Sequence, residues 1–485
     1  MRTDTVKAGS SVNLTPLVPI LVAGVLYLTL LAVGANLLND ADSYWHLVVG
    51  RWIVQHAGFP HADPYSFTMA GKPWIAKEWL SQLLYAGAFG IAGWTGMAVL
   101  AAAAMALAFG ILARELLRRL VPIPAIAFLA GAFLLAAPHA LARPHMLALP
   151  VMVAFVAGLV RAVDEDRRPS WWLLPLMMLW ANLHGGFTFG ILLAGACALD
   201  ALVAATPEER RRTFLSWLPF AILVVVAACV TPYGPQSILM TGRVLGLGSA
   251  LSIIGEWKPA DFSRLGALEI CLLAGFGLAF YRGFVLRPVR VLILLGLVHM
   301  ALSAERNGEL LGLLAPLFLA APMARQYAAL RAGGDSGGRS ASPAAAAAAL
   351  LLLFGPATIA VAAMGTIAPG ARITPAGAVD ILRADGATRI LNDYDFGGYL
   401  VFADMPAFID GRTELYGGDF VLRHHRAVNL VDLADLERLL DEYRIDATLL
   451  SPSTPAVAWL DRQPGWQRVY ADGAAVAHRR LSPTP

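Results

Sequence analysis

Apolar runs of membrane-crossing length recur from residue 15 to residue 364, and they constrain the fold more than any other feature. A span needs about 20 apolar residues, fewer where paired segments form a hairpin. The runs fall at roughly 15–38, 80–113, 121–138, 146–160, 171–182, 187–205, 214–231, 267–281, 291–304, 308–323 and 344–364, about eleven in all. Composition agrees. Hydrophobic residues make up 58% of the 485-residue chain and charged residues 15%, against about 25% charged in a soluble domain. An ordinary soluble enzyme, a disordered tail and a nucleic-acid binder are thereby excluded. The first run is long and lacks a small-residue cleavage site before Asn36, so it reads as a span rather than a cleaved signal. Cys197, Cys229 and Cys271 all sit inside apolar runs, which argues against a disulfide framework or a Cys-type zinc site.

Charge placement orients the runs. With the N-terminus inside, the cytoplasmic segments hold 17 Lys and Arg, among them Arg114/Arg118/Arg119, Arg161/Arg167/Arg168, Arg210/Arg211/Arg212 and Arg282/Arg287/Arg290. The opposite loops hold 8 over a longer total length. Positive loops stay inside, so the N-terminus is cytoplasmic, and an odd span count puts the C-terminus outside. The expected location is the bacterial inner membrane, with many passes. From Arg372 onward there are 12 basic and 16 acidic residues, while the rest has 25 and 18: a basic membrane part and a mildly acidic tail. The net charge of +3 is too small to imply an acidic partner. The organisation read from this is a transmembrane part over 1–366 that includes an external loop at 39–79. A flexible Gly/Ser-rich cytoplasmic linker follows at 331–343, and a small extracytoplasmic α/β domain at 367–485.

In the tail, helical periods appear at 375–384, 432–443 and 454–462, and β-rich runs at 389–391, 399–402, 407–409, 447–450, 467–470 and 474–477. Gly397-Gly398 and Gly417-Gly418 punctuate turns. No P-loop or GxGxxG lies in it, so a nucleotide site has no motif support.

Polar groups in the membrane part gather in the external turns. The first loop opens NDADSYWHL, with Asp40, Asp42 and His46, and ends in GKPWIAKEWL with Glu78. Later turns are HALARPH (His139, Arg143, His145), WANLHGG (Asn182, His184), TPYG (Tyr233), GEW (Glu256, Trp257) and SAERNG (Glu305, Arg306, Asn307). Six of the ten histidines lie in these turns and none in a cytoplasmic loop. Ionisable groups near membrane depth are costly and face a cavity or a partner, so several turns presenting them on one side point to a single wet site. Bland readings stand beside this. Asp40 and Asp42 serve equally well to cap a helix starting at Ser43. Arg143 and Arg306 serve as interfacial anchors, and Trp45, Trp52, Trp74, Trp79 and Trp257 as an aromatic belt. The piece 43–56 reads as amphipathic, lying in the interface plane.

Chemically, two closely spaced carboxylates hold a divalent metal such as Mg2+ or Mn2+ through oxygen, or one acts as general base on a hydroxyl. Arginine matches phosphate oxygens in a fork, and histidine donates to phosphate or shuttles a proton. His46, Arg143, His145, His184 and Arg306 are therefore read as binding a phosphate-bearing lipid donor. Glu78, Asn182, Glu256 and Asn307 are read as supporting polar groups. In the tail, Asp410, Arg412 and Glu414 of FIDGRTELYG either contact an acceptor or pair internally. Tyr394, Tyr399 and Tyr416 either stack on sugars or pack in a core. No HExxH or His-x-His pattern supports a histidine-metal hydrolase.

The order of first span, acidic pair, long external loop, many spans and external α/β domain resembles the GT-C class of polytopic glycosyltransferases. More narrowly, DADSYWHL (40–47), KEWL (77–80), ARPH (142–145), WANLHG (180–185), PYG (232–234) and ERN (305–307), with NDYDFGGYL (392–400) and FIDGRTELYG (408–417), look like a bacterial membrane-protein family sharing these motifs. The resemblance implies a polytopic α-helical membrane protein of about eleven spans, with a C-terminal α/β domain. It also implies transfer of a sugar from a polyprenyl-phosphate donor to an envelope glycan, lipid or protein outside the cytoplasm. Asp40 or Asp42 takes the catalytic acidic position, and the other supports metal or acceptor. The competing readings are a transporter or flippase for a lipid-linked or anionic solute, and a non-catalytic envelope assembly factor.

Overall fold

The computed structural model describes residues 17–248, 250, 255–333, 343–365 and 367–481. Each of the eleven apolar runs overlaps helical structure among the described residues. Six helical stretches, Trp79–Leu117, Pro122–His139, Pro144–Asp164, Phe187–Ala204, Pro207–Ala228 and Glu305–Gln326, are long and apolar enough to cross a membrane. Val18–Ala32, Leu173–Leu183, Pro288–Ser303 and Phe354–Met364 are shorter apolar helices. The expected linker at 331–343 falls mostly outside the described residues.

Local sequence explains the helix starts. Pro122, Pro144, Pro207 and Pro288 stand in first turns, where a missing N–H costs no hydrogen bond. Thr206 and Glu209 add a capping box at an arginine-rich end. The helix Pro144–Asp164 is buried on nearly every side. It packs against Trp79–Leu117, whose Ala98, Ala101, Ala102 and Ala108 let the backbones approach closely. By contrast Ala267–Arg282 has no buried residue and turns Leu273, Leu278 and Phe280 outward, as a helix facing lipid does. At the arginine-rich end, fully buried Arg290 bonds Asp164 at 2.7 Å, Asp200 at 2.9 Å and the Phe318 carbonyl at 3.1 Å, tying four helices together.

One expected span is two helices. Trp79–Leu117 breaks at Ala92 and Gly93, where Gly93 takes φ 58° and ψ −145°, a conformation open essentially to glycine. The break lets the first segment, with Ser81, Gln82 and Tyr85 buried, pack beside the acidic turn.

The tail carries a four-stranded sheet in the order β1-β2-β4-β3. β1 is Ile390–Asn392, β2 Ala447–Leu450, β3 Trp466–Ala471 and β4 Val476–Arg480. β1 and β2 run parallel; β4 is antiparallel to both β2 and β3. The helices expected at 375–384, 432–443 and 454–462 form as Ala376–Ala384, Leu433–Glu442 and Pro455–Leu460. Two expected strands do not form. Gly397–Phe402 is a helix, because Tyr399 and Phe402 pack around the Tyr44 ring and the two glycines let the backbone lie against Ile409 and Ala41. The segment 407–409 is extended, but Ala407 pairs with Tyr65 and Phe67 of the long loop rather than with the sheet. The helix Gly418–Val428 was not expected at all.

Candidate active site at the acidic turn

Asp40 lies in the turn before the helix Asp42–His56. Its Oδ1 accepts the Asp42 N–H at 2.8 Å. Neither carboxylate caps the helix in the ordinary way, since the N-cap is Ala41 and has no side-chain bond. Asp42 Oδ1 accepts the Trp45 indole N–H at 2.9 Å, leaving Oδ2 for a cation. That cation is Arg143. The following Pro144 holds Arg143 in extended backbone, φ −118° and ψ 164°, at the N-cap of the central helix. Tyr85 OH donates to its carbonyl at 3.0 Å. The guanidinium reaches Asp42 Oδ2 at 2.7 Å, Asp40 Oδ2 at 3.3 Å and Glu256 Oε2 at 2.7 Å. Glu256 in turn accepts from Arg306 at 2.6 Å, and Arg306 lies 4.7 Å over the Trp257 ring. The turns NDADS, ARPH, GEW and ERN, far apart in sequence, thus form one continuous ion network. Its side chains keep 16–21% exposure, enough to meet a ligand.

A second cluster adjoins it. Glu78 lies 3.6 Å from His184 Nε2 and 3.9 Å from His46 Nε2. The His184 Nδ1 accepts the Gly186 N–H at 3.1 Å, which places the neutral ring's proton on Nε2, toward Glu78. Burial holds both imidazoles well below their usual range, with Arg143 adding to the effect at His46. His145 donates to the His139 carbonyl at 3.0 Å and faces buried Glu309 at 3.9 Å. Lys77 bonds Glu414 at 2.9 Å, bringing the tail to the cluster. A mainly apolar groove of about 360 Å³ is lined by Trp79, Leu80, Met178, Leu179, Val230 and Pro232, with Asn182 and Thr231 as its polar members.

Electrostatics separates the carboxylates. Burial pushes Asp42 up to about 7, with Arg143 opposing and Asp40 adding to the rise. Burial also pushes Glu256 up, but Arg143 and Arg306 outweigh it and hold the group at about 2. Burial raises Glu78 as well. Asp42 is therefore an acid of this turn whose proton is exchangeable near neutrality.

Other expected residues stand elsewhere. Asn182 bridges Trp79 to the Met178 and Val230 carbonyls, and Asn307 bonds the Met300 carbonyl; both hold backbone in place. Tyr233 OH bonds Pro60 and Ala76 in the same way. Asp410 and Arg412 are fully buried. Arg412 grips Asp410 and Asp63 and lies between the Tyr65 and Trp74 rings, so neither faces an acceptor. Trp45 and Trp74 are buried rather than ranged in a belt. The sequence reading missed Glu309, Asp63 and Gly411. A Cβ on Gly411 would run into the Asp42 carboxylate, so FIDGR roofs the acidic turn. The glycine after FID was the signal available for that contact. As arranged, Asp40 and Asp42 do not fit a divalent cation, because a guanidinium already joins them. Among the described residues, no group of three or more His, Cys, Asp or Glu is placed to hold a metal ion.

No family model and no curated protein matches the chain. Among solved structures it is similar to the archaeal oligosaccharyltransferase AglB from Archaeoglobus fulgidus, in complex with an inhibitory peptide and a dolichol-phosphate. The TM-score is 0.50 at 13% identity, over 90% of this chain and 69% of that one. ArnT from Cupriavidus metallidurans bound to undecaprenyl phosphate gives a TM-score of 0.48 at 15% identity, over 96% of this chain and 99% of that one. At 13% identity the likeness to AglB shows the fold alone: a multi-pass helical membrane protein folded similarly to that one.

Proposed function

We propose that the chain is a membrane glycosyltransferase that moves a sugar from a polyprenyl-phosphate donor to an envelope acceptor outside the cytoplasm. The observation that carries this is Asp42: a partly exposed carboxyl at the ligand-facing turn, roofed by Gly411, fixed by Trp45 and Arg143, and titrating near neutrality. A base needs that range to take a proton from an acceptor hydroxyl. The acceptor oxygen bonds the anomeric carbon, the bond from that carbon to the phosphate oxygen breaks, and its electron pair leaves with the polyprenyl phosphate. The acceptor proton goes to Asp42. Arg306, held by one carboxylate and an indole face, suits the donor phosphate. The mainly apolar groove lined by Trp79, Leu80, Met178 and Leu179 suits the start of the polyprenyl chain.

A transporter needs charged or Gly/Pro-broken segments near the midplane and polar access from both faces. Here the charged groups at the opposite end close on one another around Arg290, which gives that reading no support. The test is purified protein with radiolabelled polyprenyl-phosphate sugars, wild type beside Asp42→Asn and Asp40→Asn. Turnover in wild type that is lost in Asp42→Asn supports the proposal. Equal turnover in all three, with folded protein throughout, overturns it.

A further inference from the structure

We infer that Arg143 is the resident cation of this site and stands where a divalent metal would otherwise bridge the acids. Three carboxylates from two separate turns converge on one side chain, at 2.7 Å for Asp42, 2.7 Å for Glu256 and 3.3 Å for Asp40. A hard divalent cation takes carboxylate oxygens at about 2.0–2.6 Å. Here the three oxygens are spread over Nη1 and Nη2, the separation a planar guanidinium demands. That group does not lose its proton in proteins, so its charge is permanent at every working pH. A second, doubly charged ion beside it would meet repulsion instead of a vacant acidic cage. The side chain is also fixed at its root. Its backbone is locked by Pro144, its N–H bonds the Leu141 carbonyl at 2.7 Å, and its own carbonyl is held by Tyr85.

The chemistry follows from the bonds that remain. Nη1 serves Asp40 and Glu256, and Nη2 serves Asp42. Among the described residues this leaves Nε–H and one Nη2 hydrogen without a protein acceptor, directed donors of the kind that meet a phosphate oxygen. Arg143 thus neutralises the acids and offers hydrogen bonds from one group. Removing it should leave Asp40 and Asp42 uncompensated, with Glu256 still held by Arg306, so that the two aspartates acquire metal affinity.

This inference rests on the transferase proposal only for its effect on turnover; cation binding is read without substrate. The experiment is a Mn2+ titration of the chelator-stripped full-length protein in detergent at pH 8, followed by the EPR signal of free Mn2+. Wild type is expected to show no saturable site, while Arg143→Ala gains one with affinity higher by about tenfold or more, since ligand charge sets such affinities. That site should disappear again in the double variant with Asp42→Asn. A stoichiometric wild-type Mn2+ site that is lost in Asp42→Asn overturns the inference, whether or not Arg143→Ala folds. In parallel, wild-type turnover should be unchanged by EDTA. If the donor is never turned over, the transferase proposal fails while the titration still decides this one.

Discussion

Asp42 and Glu256 bond the same guanidinium, yet they titrate about five units apart, at about 7 and about 2. Burial raises both, and the cations and acids around each then separate them. Glu256 has two cations, Arg143 and Arg306, whereas Asp42 shares one with Asp40. The raised value means Asp42 is protonated below about pH 7 and ionised above it. A base must be ionised to act, so turnover is expected to rise with pH through about 7 and to lose that limb in Asp42→Asn, along with about 10²-fold or more in rate. A pH–rate profile checks this; a flat profile through neutrality would exclude Asp42 as the base. Gly411→Ala is the finer probe. Its new methyl would enter the Asp42 carboxylate, so turnover should fall by at least about tenfold, the effect of a displaced catalytic group, while thermal stability changes little. These residues were unequally legible. Asp40, Asp42 and Arg143 stood out because charge is rare in such a chain. Their pairing did not, because it joins positions 101 and 103 residues apart. Glu309 was hidden inside an apolar helical run, four residues after the conspicuous Glu305.

At the level of elements, the long loop and the FIDGR turn hold each other. Arg412 bridges Asp410 and Asp63 without solvent contact, and Tyr416 OH adds a bond to Asp410 at 2.9 Å. Removing one partner of a buried ion pair costs about 3–5 kcal/mol. Arg412→Met is therefore expected to loosen the 57–78 loop, read as faster proteolysis there, and to reduce turnover through the roof over Asp42. Unchanged protease resistance would show the triad to be dispensable. Helices at 376–384, 433–442 and 455–460 were legible from their apolar faces, whereas Gly418–Val428 was not, its inward face being shared by a histidine, His424, with Val421, Ala427 and Val428. The segment 397–402 was not, because GGYLVF is apolar throughout and carries no period; packing around Tyr44 chose the helix.

Across the whole molecule, the polar groups divide between two ends. The Arg290 cluster at one end closes on itself, and the acidic network at the other keeps its side chains partly open. Arg290→Met should therefore lower the melting temperature, because it strands Asp164 and Asp200 without their buried partner. Turnover per folded molecule should stay within about twofold, the effect of a site remote from the chemistry. A catalytic loss as large as that of Asp42→Asn would mean the two ends are coupled. The apolar runs and the charge bias made the bundle legible as a whole, since both are properties of long segments. The docking of the tail was not, since it rests on contacts between residues hundreds of positions apart, among them Gly398 on Ala41, Gly411 on Asp42, Tyr399 on Tyr44, Lys77 with Glu414 and Arg412 with Asp63.

That docking also sets an order in time. Arg412 meets a partner made 349 residues earlier, and Gly411 closes over an acid made earlier still. During synthesis the acidic turn therefore reaches the membrane long before its roof exists. A nascent chain carries its acids open until FIDGR has been made and has folded back over them, so the roofed acidic turn is a late product of synthesis.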